Sequence, residues 1–420
     1  MILASGTLLP DSHLPQLLSR LEQSLNETRG APGLKVETVL DALDRLVCLL
    51  DAGALDGLIA QYAPSGAIEA LDRARPLLTR DALEYKIHTE LGPSGFSPRS
   101  RPFGHTQPMP LGVLLHVAPG NMPGLPVFSV VEGLLTGNIN LLKLPRSDRG
   151  LSLAVLKQLV DTEPRLAPYI YAFDLPSGDA ASLQALARLA NGLAVWGGDE
   201  AVAACRGLAP PGCRLIEWGH RLSFAYLSGP PDPTELDDLA RHIVHTGGLL
   251  CSSCQVIFLD TNSLQEAQAF CLEFLPRLER ASAARSPGDA AQSALYAQEA
   301  FLEHIVDRAG TAGQFFRGAG CSITLGQDRE LELSPLHGNV LVKCLPRTQL
   351  LPVLGRQTGR LQTAGLICPP EERGALTALL ARAGVTRITR ANHMSSSFSG
   401  EGHDGEYPLR RYLRMVDVEA

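Results

Sequence analysis

The chain has 420 residues and a formal net charge of −7. The length bears on the number of domains, and the charge bears on the class of binding partner. A chain of this length exceeds one small domain, so two packed domains are expected. The negative charge argues against a nonspecific nucleic-acid or membrane-surface binder, because either would need a basic face. No stretch approaches the ~20 uninterrupted apolar residues of a membrane span, and the opening MILASGTLLPDSH lacks the basic leader of a signal peptide. We therefore expect a soluble, cytoplasmic protein.

Apolar residues recur at helical spacing between residues 12 and 90, which predicts an N-terminal helical region over 1–95. From Pro108 onward the pattern changes to strand-like and helix-like runs that alternate, beginning with LGVLLHV, PVFSVVEGLLTG and NINLLKL. Such repeats build a parallel sheet that is covered by helices on both faces. The sequence therefore predicts an α/β fold with a doubly wound, cofactor-binding domain over 96–230.

A second α/β block is predicted over 231–395. It begins with the helix TELDDLARHIVHT, passes through Cys251 into the strand CQVIFLD, and contains further strands at CSITLG and NVLVKCL. The remaining residues, 396–420, are rich in Ser, Gly and His. We expect this tail to return to the cofactor domain or to form an oligomer interface, and to carry function.

Among the nine cysteines, Cys251 stands out because it lies where a helix gives way to a strand, just after Gly247 and Gly248. Three interpretations compete for it. It could be a buried core thiol, as most cysteines are, or half of a redox or zinc motif with Cys254. The zinc interpretation is weak, because four ligands are needed and the sequence has no second CxxC pair. The third interpretation is a catalytic nucleophile, which needs an oxyanion stabiliser and an electron donor as partners.

The segments APGNMPGLP, GNINLLK, VWGGDEAV, IEWGH and GGLLC follow one another along the chain. Together they resemble motifs of the aldehyde dehydrogenase superfamily, in the order of that superfamily. APGNMPGLP resembles its Pro-x-Asn-x-Pro turn, and GNINLLK resembles its Gly-Asn-x-x-x-x-Lys strand end. VWGGDEAV, IEWGH and GGLLC resemble its nucleotide turn, its Glu-Leu-Gly-Gly segment and its nucleophile segment. The corresponding residues of the first two motifs are Pro119, Asn121, Pro123, Gly137, Asn138 and Lys143.

The chain is more similar still to the acyl-CoA reductase family of bacterial luminescence (LuxC-type), over roughly residues 90 to 420. HVAPGNMPGLPVFSVVEGLLTGN, GHRLSFA, CSSCQVIF and the ending GEGHDGEYPLRRYLRMVDVE carry this resemblance. Cys254 stands where the family leads us to expect proline, which leaves a second thiol close to the nucleophile and a possible site of oxidation. The resemblance implies an aldehyde dehydrogenase-like fold and at least a dimeric assembly.

The mechanism that the resemblance implies is the reduction of an acyl thioester, from coenzyme A or an acyl carrier, to an aldehyde. Cys251 takes the acyl group, and the amide of Asn121 with the Cys251 backbone N–H stabilises the oxyanion. Taken alone, Asn121 could equally be a turn residue between two prolines. An acyl-activating synthetase is a further partner that this chemistry suggests.

The resemblance also assigns the cofactor residues. Lys143 would meet the ribose or phosphate of the dinucleotide, although it could be a solvated lysine. Arg146 stands where aldehyde dehydrogenases selecting the unphosphorylated cofactor often carry glutamate, so it favours NADPH. Gly197 and Gly198 would let the backbone approach the cofactor, or could form an ordinary turn. Either Glu330 or Glu332, with Glu332 preferred, would hold the nicotinamide ribose.

The role of Glu217, in RLIEWGHRLSF, distinguishes a thioester reductase from a hydrolytic aldehyde dehydrogenase. It looks like the glutamate with which hydrolytic aldehyde dehydrogenases activate water, and a reductase needs no such base. Alternatively, it pairs with a neighbour such as Arg221. A hydrolytic NAD(P)-dependent aldehyde dehydrogenase and a non-redox thiol acyltransferase therefore stay open as other functions. His403 and Asp404 match the terminal motif of the family, and either a structural or a catalytic role fits them. No metal site is expected.

Overall fold

The computed structural model describes residues 1–62, 75–118, 120, 124–176, 178–306 and 314–419. It divides into two units. Unit 1 consists of Met1–Gly219 with Phe398–Ala420, and unit 2 consists of His220–Ser397. Within the described residues, no helix combines the length and the apolar character that crossing a membrane requires.

Helices and strands alternate along most of the chain. The helices are α1 (Leu14–Gly30), α2 (Val36–Asp51), α3 (Asp56–Tyr62), α4 (Arg80–Leu91), α5 (Leu125–Leu135), α6 (Leu151–Thr162), α7 (Ala180–Leu189), α8 (Asp199–Leu208), α9 (Pro233–Thr246), α10 (Leu264–Ser282), α11 (Pro287–Val306), α12 (Leu350–Leu354), α13 (Pro370–Arg382) and α14 (Pro408–Arg411). The strands are β1 (Ile2–Ala4), β2 (Thr7–Leu9), β3 (Arg99–Arg101), β4 (Gly104–Pro110), β5 (Val113–Val117), β6 (Ile139–Lys143), β7 (Ile170–Phe173), β8 (Gly192–Trp196), β9 (Arg214–Trp218), β10 (Leu222–Leu227), β11 (Cys254–Leu259), β12 (Gln314–Gly318), β13 (Cys321–Leu325), β14 (Asn339–Cys344), β15 (Leu361–Ile367), β16 (Arg387–Thr389) and β17 (Leu413–Glu419).

The main sheet of unit 1 has the strand order β2-β1-β7-β6-β5-β8-β9. Strands β7, β6, β5, β8 and β9 are parallel, and β1 adds to β7 in the antiparallel sense. The chain builds outward from β5 in one direction and then resumes at β8 on its other side. Ligands of doubly wound sheets bind at such a switch point, beyond the carboxyl ends of the strands. This is the doubly wound α/β arrangement that the sequence predicts.

The N-terminal helices and the tail belong to unit 1. Side chains of α1, α2 and α4 lie in the same hydrophobic core as the residues of β5 to β8. The tail strand β17 pairs antiparallel with β4 in a separate three-stranded sheet. Asn138 links the tail to the main sheet, since its side chain accepts from the Gly112 N–H (2.8 Å) and donates to the Tyr412 carbonyl (3.0 Å). Asn138 of the Gly-Asn motif therefore has a structural role.

The sheet of unit 2 has the order β12-β13-β14-β11-β10-β15-β16, in which β12 alone is antiparallel to its neighbour. Separate hydrophobic clusters lie on its two faces. Every residue of β10, β11, β14 and β15 is buried, as expected for parallel strands with both faces covered. Cys251 lies immediately before the amino end of β11.

Candidate active site

Cys251 lies in a turn between α9 and β11, which we call the nucleophile turn (247–253). Gly247 and Gly248 begin it with φ values of +58° and +80°, a region that glycine enters without steric cost. The carbonyl of Cys251 accepts a hydrogen bond from the Ser223 Oγ of β10 (2.6 Å). Ser223 Oγ in turn accepts the N–H of Thr363 in β15 (2.9 Å). Two strands of the sheet thus fix the backbone at Cys251.

The two neighbouring thiols have different surroundings. Cys251 is partly exposed, whereas Cys254 is buried as the first residue of β11. Burial raises the pKa of the Cys254 thiol to about 12. The Cys254 N–H donates to Nε2 of His242 (3.2 Å), and burial lowers the pKa of this histidine to about 4, so the ring is a neutral acceptor. Cys254 is therefore a core thiol, and Cys251 is the accessible one of the pair.

Four of the proposed cofactor residues lie at one edge of the unit 1 sheet. Lys143 ends β6, and Arg146 begins a short 3-10 helix just after it. Gly197 and Gly198 connect β8 to α8. Parallel pairing places the ends of these strands together, because Lys143 is in register with Val117 of β5, and Trp196 with Trp218. This is the edge where the topology predicts a ligand.

Lys143 and Arg146 differ in burial but share one property. Within the described residues, neither side chain forms a hydrogen bond or salt bridge. Lys143 is 9% exposed, and burial lowers the pKa of its ammonium against the opposing effect of Asp174. Arg146 is exposed. Cationic groups that form no hydrogen bond or salt bridge within the described part of the chain suit the ribose hydroxyls and phosphates of a dinucleotide.

The glycines at this edge have different tasks. A Cβ added at Gly120, after β5, would lie 2.4 Å from the Ser147 hydroxyl, which also donates to the Gly120 carbonyl (2.7 Å). A Cβ at Gly197 would lie 3.0 Å from the Cβ of Ala201 in α8, whereas a Cβ at Gly198 would meet nothing within 4 Å. A side chain at Gly120 or Gly197 would therefore be crowded by Ser147 or Ala201, while the space at Gly198 is open to a ligand.

A dinucleotide fits these residues in most respects. The open space at Gly198 and the cationic side chains of Lys143 and Arg146 favour binding of a dinucleotide. Asp199 and Glu200, however, lie in the first turn of α8, where they complement the helix dipole themselves. They disfavour a phosphate directly at that helix end. Lys143 and Arg146 are then the groups that would hold the anionic part of the cofactor.

Glu217 lies near the carboxyl end of β9, and its carboxylate accepts two hydrogen bonds from Arg206 of α8. The bond from Nη2 is 2.6 Å long. The glutamate side chain is 26% exposed, and the arginine is 61% exposed. Arg221, the neighbour that the sequence suggests as a partner, donates to the carbonyl of Gly359.

The remaining proposed site residues have varied positions. Glu332 lies in unit 2 and accepts a hydrogen bond from Lys343, a buried ammonium that also binds Asp328 (2.6 Å). Glu330 pairs with Arg356 (3.2 Å). Asn121 lies outside the described residues, together with Pro119 and Pro123.

An aromatic cluster at the edge of unit 1 was not predicted from the sequence. The rings of Trp196 and Trp218, which end β8 and β9, lie 5.4 Å apart. The ring of His403, from the tail, lies 4.8 Å from the first and 4.9 Å from the second. Asp404 lies beside it, with 3.8 Å between its Oδ2 and His403 Nε2. Both tryptophans adjoin motifs already noted in VWGGDEAV and IEWGH, which is the signal that could have revealed the cluster.

A family model described as acyl-CoA reductase (LuxC) matches residues 32–415 of this chain. The long-chain acyl-protein thioester reductase of Aliivibrio fischeri is 24% identical over 366 residues, which cover 84% of this chain and 74% of the relative. That of Vibrio harveyi is 26% identical over 221 residues, covering 51% of this chain and 46% of the relative. The chain thus matches about half the length of the Vibrio harveyi protein.

Solved structures with a similar fold include aldehyde dehydrogenases. Lactaldehyde dehydrogenase from Escherichia coli aligns with a TM-score of 0.69 at 15% identity, covering 98% of this chain and 92% of that protein. Succinic semialdehyde dehydrogenase from Streptococcus pyogenes, in complex with NADP⁺, aligns with a TM-score of 0.70 at 13% identity, covering 99% and 96%. At these identities the likeness shows the fold alone, and it confirms the predicted aldehyde dehydrogenase-like fold.

The family model extends over most of the chain and includes both the nucleophile turn and the carboxyl edge of the unit 1 sheet. It therefore confirms the resemblance carried by the motifs around Cys251 and by the ending GEGHDGEYPLRRYL. The chain belongs to the acyl-CoA reductase (LuxC) family.

Proposed function

We propose that the protein reduces an acyl thioester to an aldehyde with NADPH, through an acyl group carried on Cys251. The observation that carries the proposal is the contrast between Cys251 and Cys254. The family leads us to expect a nucleophilic cysteine, and Cys251 is the partly exposed thiol, on a backbone fixed by Ser223. The thiol of Cys254 is buried.

In the proposed reaction the Cys251 thiolate attacks the thioester carbonyl and forms a carbon–sulfur bond. The amide of Asn121 and the Cys251 N–H stabilise the tetrahedral oxyanion, and donors of this kind contribute ~3–4 kcal/mol each. The oxyanion collapses, the bond to the carrier sulfur breaks, and the carrier leaves as a thiolate that takes up a proton. NADPH, when bound, would supply the hydride for the acyl carbon. Hydride addition to the thioester on Cys251 would give a thiohemiacetal alkoxide, and its collapse breaks the carbon–sulfur bond, releases the aldehyde and restores the Cys251 thiolate.

The preference for NADPH rests on Arg146, which is exposed and forms no salt bridge within the described residues. A guanidinium in this state is suited to a 2′-phosphate. Lys143 would bind the ribose or phosphate, Gly197 and Gly198 would allow close approach, and Glu332 would bind the nicotinamide ribose. The acyl donor is coenzyme A or an acyl carrier, and an acyl-activating synthetase is the class of enzyme that would supply it. The assembly is a homo-oligomer.

One observation bears on the hydrolytic alternative. Glu217 would have to accept a proton from water, yet its carboxylate already accepts two hydrogen bonds from Arg206. In this bidentate pair both carboxylate oxygens are engaged by the guanidinium. This favours reduction over hydrolysis of the acyl group.

The test is a set of three assays on the purified full chain. A series of acyl-CoA thioesters with NADPH should consume the cofactor and yield aldehyde, which is trapped as a hydrazone. Aldehyde with NADP⁺ and no thiol acceptor should give little free acid. Acyl transfer to a thiol acceptor without cofactor should not exceed the reductive rate. Faster acid formation would identify a hydrolytic dehydrogenase, and acyl transfer alone would identify a non-redox acyltransferase.

A further inference from the structure

Three consecutive residues of unit 2 have left-handed backbone conformations, and two of them are not glycine. The φ values are +67° for Leu336, +49° for His337 and +83° for Gly338. Side chains with a Cβ disfavour this region, and a bulky residue such as leucine is an outlier there. Strain of this kind persists only where the surroundings enforce it, and it concentrates at functional sites. We call residues 334–338 the clamp turn.

Contacts from α11 and β14 hold the clamp turn in this conformation. The carbonyl of His337 accepts a hydrogen bond from the Ser293 hydroxyl (2.6 Å), and the His337 ring lies 4.6 Å from the ring of Tyr296. The carbonyl of Leu336 accepts from the side chain of Asn339 (2.8 Å) and from its backbone N–H (3.0 Å). Each of the two strained residues is therefore held by more than one contact.

The clamp turn in turn holds the beginning of the nucleophile turn. The N–H of His337 donates to the carbonyl of Gly247 with a length of 2.7 Å. A Cβ added at Gly248 would lie 2.9 Å from Cδ2 of Leu336 and 3.3 Å from the Ser334 hydroxyl. The backbone at Gly248 thus lies directly against the Leu336 side chain, and a methyl group there would force that side chain to shift.

A buried glutamine joins the two turns. Nε2 of Gln255 donates to the carbonyl of Gly248 (2.8 Å), and its Oε1 accepts from the N–H (3.1 Å) and hydroxyl (2.9 Å) of Ser334. Gln255 is 2% exposed. Hydrogen bonds in such a buried site are costly to leave unmade, so the link is stiff.

We infer that the clamp turn positions Cys251, with Leu336 and His337 acting as positioning residues through Gly247 and Gly248. The two ends of the nucleophile turn are fixed by different parts of unit 2. The clamp turn holds its glycine end, and Ser223 holds the backbone at Cys251. Displacement of a reacting group by about 1 Å can cost on the order of 10²-fold in rate. The inference rests on the proposed function, in which Cys251 is the nucleophile.

The experiment compares two alanine variants at left-handed glycines. Gly248→Ala places a methyl group against Leu336 at a φ of +80°. The control, Gly359→Ala, introduces the same kind of backbone penalty at a φ of +87°, where a Cβ would meet nothing within 4 Å. Each variant receives a single dose of acyl-CoA without cofactor, and the rate of acylation of Cys251 is measured by peptide mass spectrometry. Alkylation of Cys251 and Cys254 by iodoacetamide is followed in parallel.

The inference predicts that Gly248→Ala slows acylation of Cys251 by on the order of tenfold or more. Alkylation of Cys251, which needs little positioning, should change far less, and Cys254 should stay protected because the fold is kept. Gly359→Ala should acylate at close to the wild-type rate. Adding Leu336→Ala to Gly248→Ala should restore part of the lost rate, because it removes the colliding methyl group.

Two outcomes overturn the inference: acylation of Gly248→Ala at the wild-type rate, or an equal loss in Gly359→Ala. If Gly248→Ala exposes Cys254, the Leu336→Ala single variant decides, and an unchanged acylation rate in that variant overturns the inference as well. Failure of the proposed function looks different, since wild-type Cys251 would then take up no acyl group at all.

Discussion

Glu217 of β9 and Arg206 of α8 form a bidentate ion pair at the carboxyl edge of the unit 1 sheet. The guanidinium occupies both carboxylate oxygens, so the glutamate has little capacity to activate water. In a reductase this is useful, because a working base would convert the acyl intermediate into free acid.

Removing the guanidinium should therefore increase hydrolysis. In Arg206→Ala the carboxylate of Glu217 loses these two hydrogen bonds, and we expect the fraction of acyl-CoA that ends as free acid to rise several-fold. Glu217→Gln should leave aldehyde formation within about twofold of wild type, since reduction uses no base there. Product ratios by gas chromatography measure both. A strong loss of aldehyde formation in Glu217→Gln would show that Glu217 takes part in the reaction.

Cofactor binding should be visible in tryptophan fluorescence. The chain has two tryptophans, and both Trp196 and Trp218 lie next to the proposed cofactor residues. Reduced nicotinamide absorbs where tryptophan emits, so NADPH should quench the emission and fluoresce by energy transfer. Trp196→Phe and Trp218→Phe should each retain part of the signal. NADPH that binds by calorimetry without changing the emission would place the cofactor elsewhere.

Arg146 should set the preference between the two nicotinamide cofactors. A hydrogen bond to a charged group is worth about 1.5–3 kcal/mol, so Arg146→Glu should weaken NADPH binding roughly 10- to 100-fold and leave NADH binding nearly unchanged. The matched control is Arg149→Glu, which makes the same charge change at another exposed arginine. Dissociation constants come from calorimetry. Equal losses in both variants, or a wild-type protein that prefers NADH, would refute the assignment.

The stability of unit 1 should fall in mild acid because of His116. This ring is buried in β5 between Ser129 (2.7 Å) and Asn140 (3.0 Å), and burial lowers its pKa to about 4. When the pH falls below the ordinary pKa of histidine, this ring binds a proton in the unfolded chain but not in the folded chain. The free energy of unfolding of unit 1 therefore decreases between about pH 6.5 and pH 4. The loss is about 3 kcal/mol. Glu90 offsets part of this loss. Burial raises the pKa of its carboxyl to about 6, so on acidification Glu90 takes up a proton in the folded chain at a higher pH than in the unfolded chain.

The measurement is urea unfolding followed by tryptophan emission, which reports on unit 1 because both tryptophans lie there. His116→Gln retains an amide that can bond to Ser129 and Asn140 but does not titrate. Its stability should therefore depend less on pH than that of the wild type over this range. If the free energy of unfolding varied with pH in the same way for the wild type and His116→Gln, the assignment of this pH dependence to His116 would be wrong.

The features that the sequence predicts well are those carried by local pattern. Short apolar runs alternate with segments of helical periodicity, and this alternation indicates the parallel sheet. The order of helix, glycine pair and strand places Cys251 in a turn before β11. Features that depend on how distant elements pack were not predictable. The partner of Glu217 comes from α8, and the strain at Leu336 comes from α11, β14 and the nucleophile turn. Only Gly338 in LHGN indicates a left-handed turn, and nothing local indicates the two residues before it.

The most direct test of the account is the fate of an acyl group given to the full chain without cofactor. Intact-mass spectrometry should show one added acyl mass per chain, and peptide mapping should place it on Cys251. Cys251→Ser should abolish the adduct and aldehyde formation, whereas Cys254→Ser should keep both, because Cys254 is a buried core thiol. NADPH added to the preformed adduct should release aldehyde in a single turnover. An adduct that follows Cys254, or one that NADPH cannot discharge as aldehyde, would contradict the proposed function.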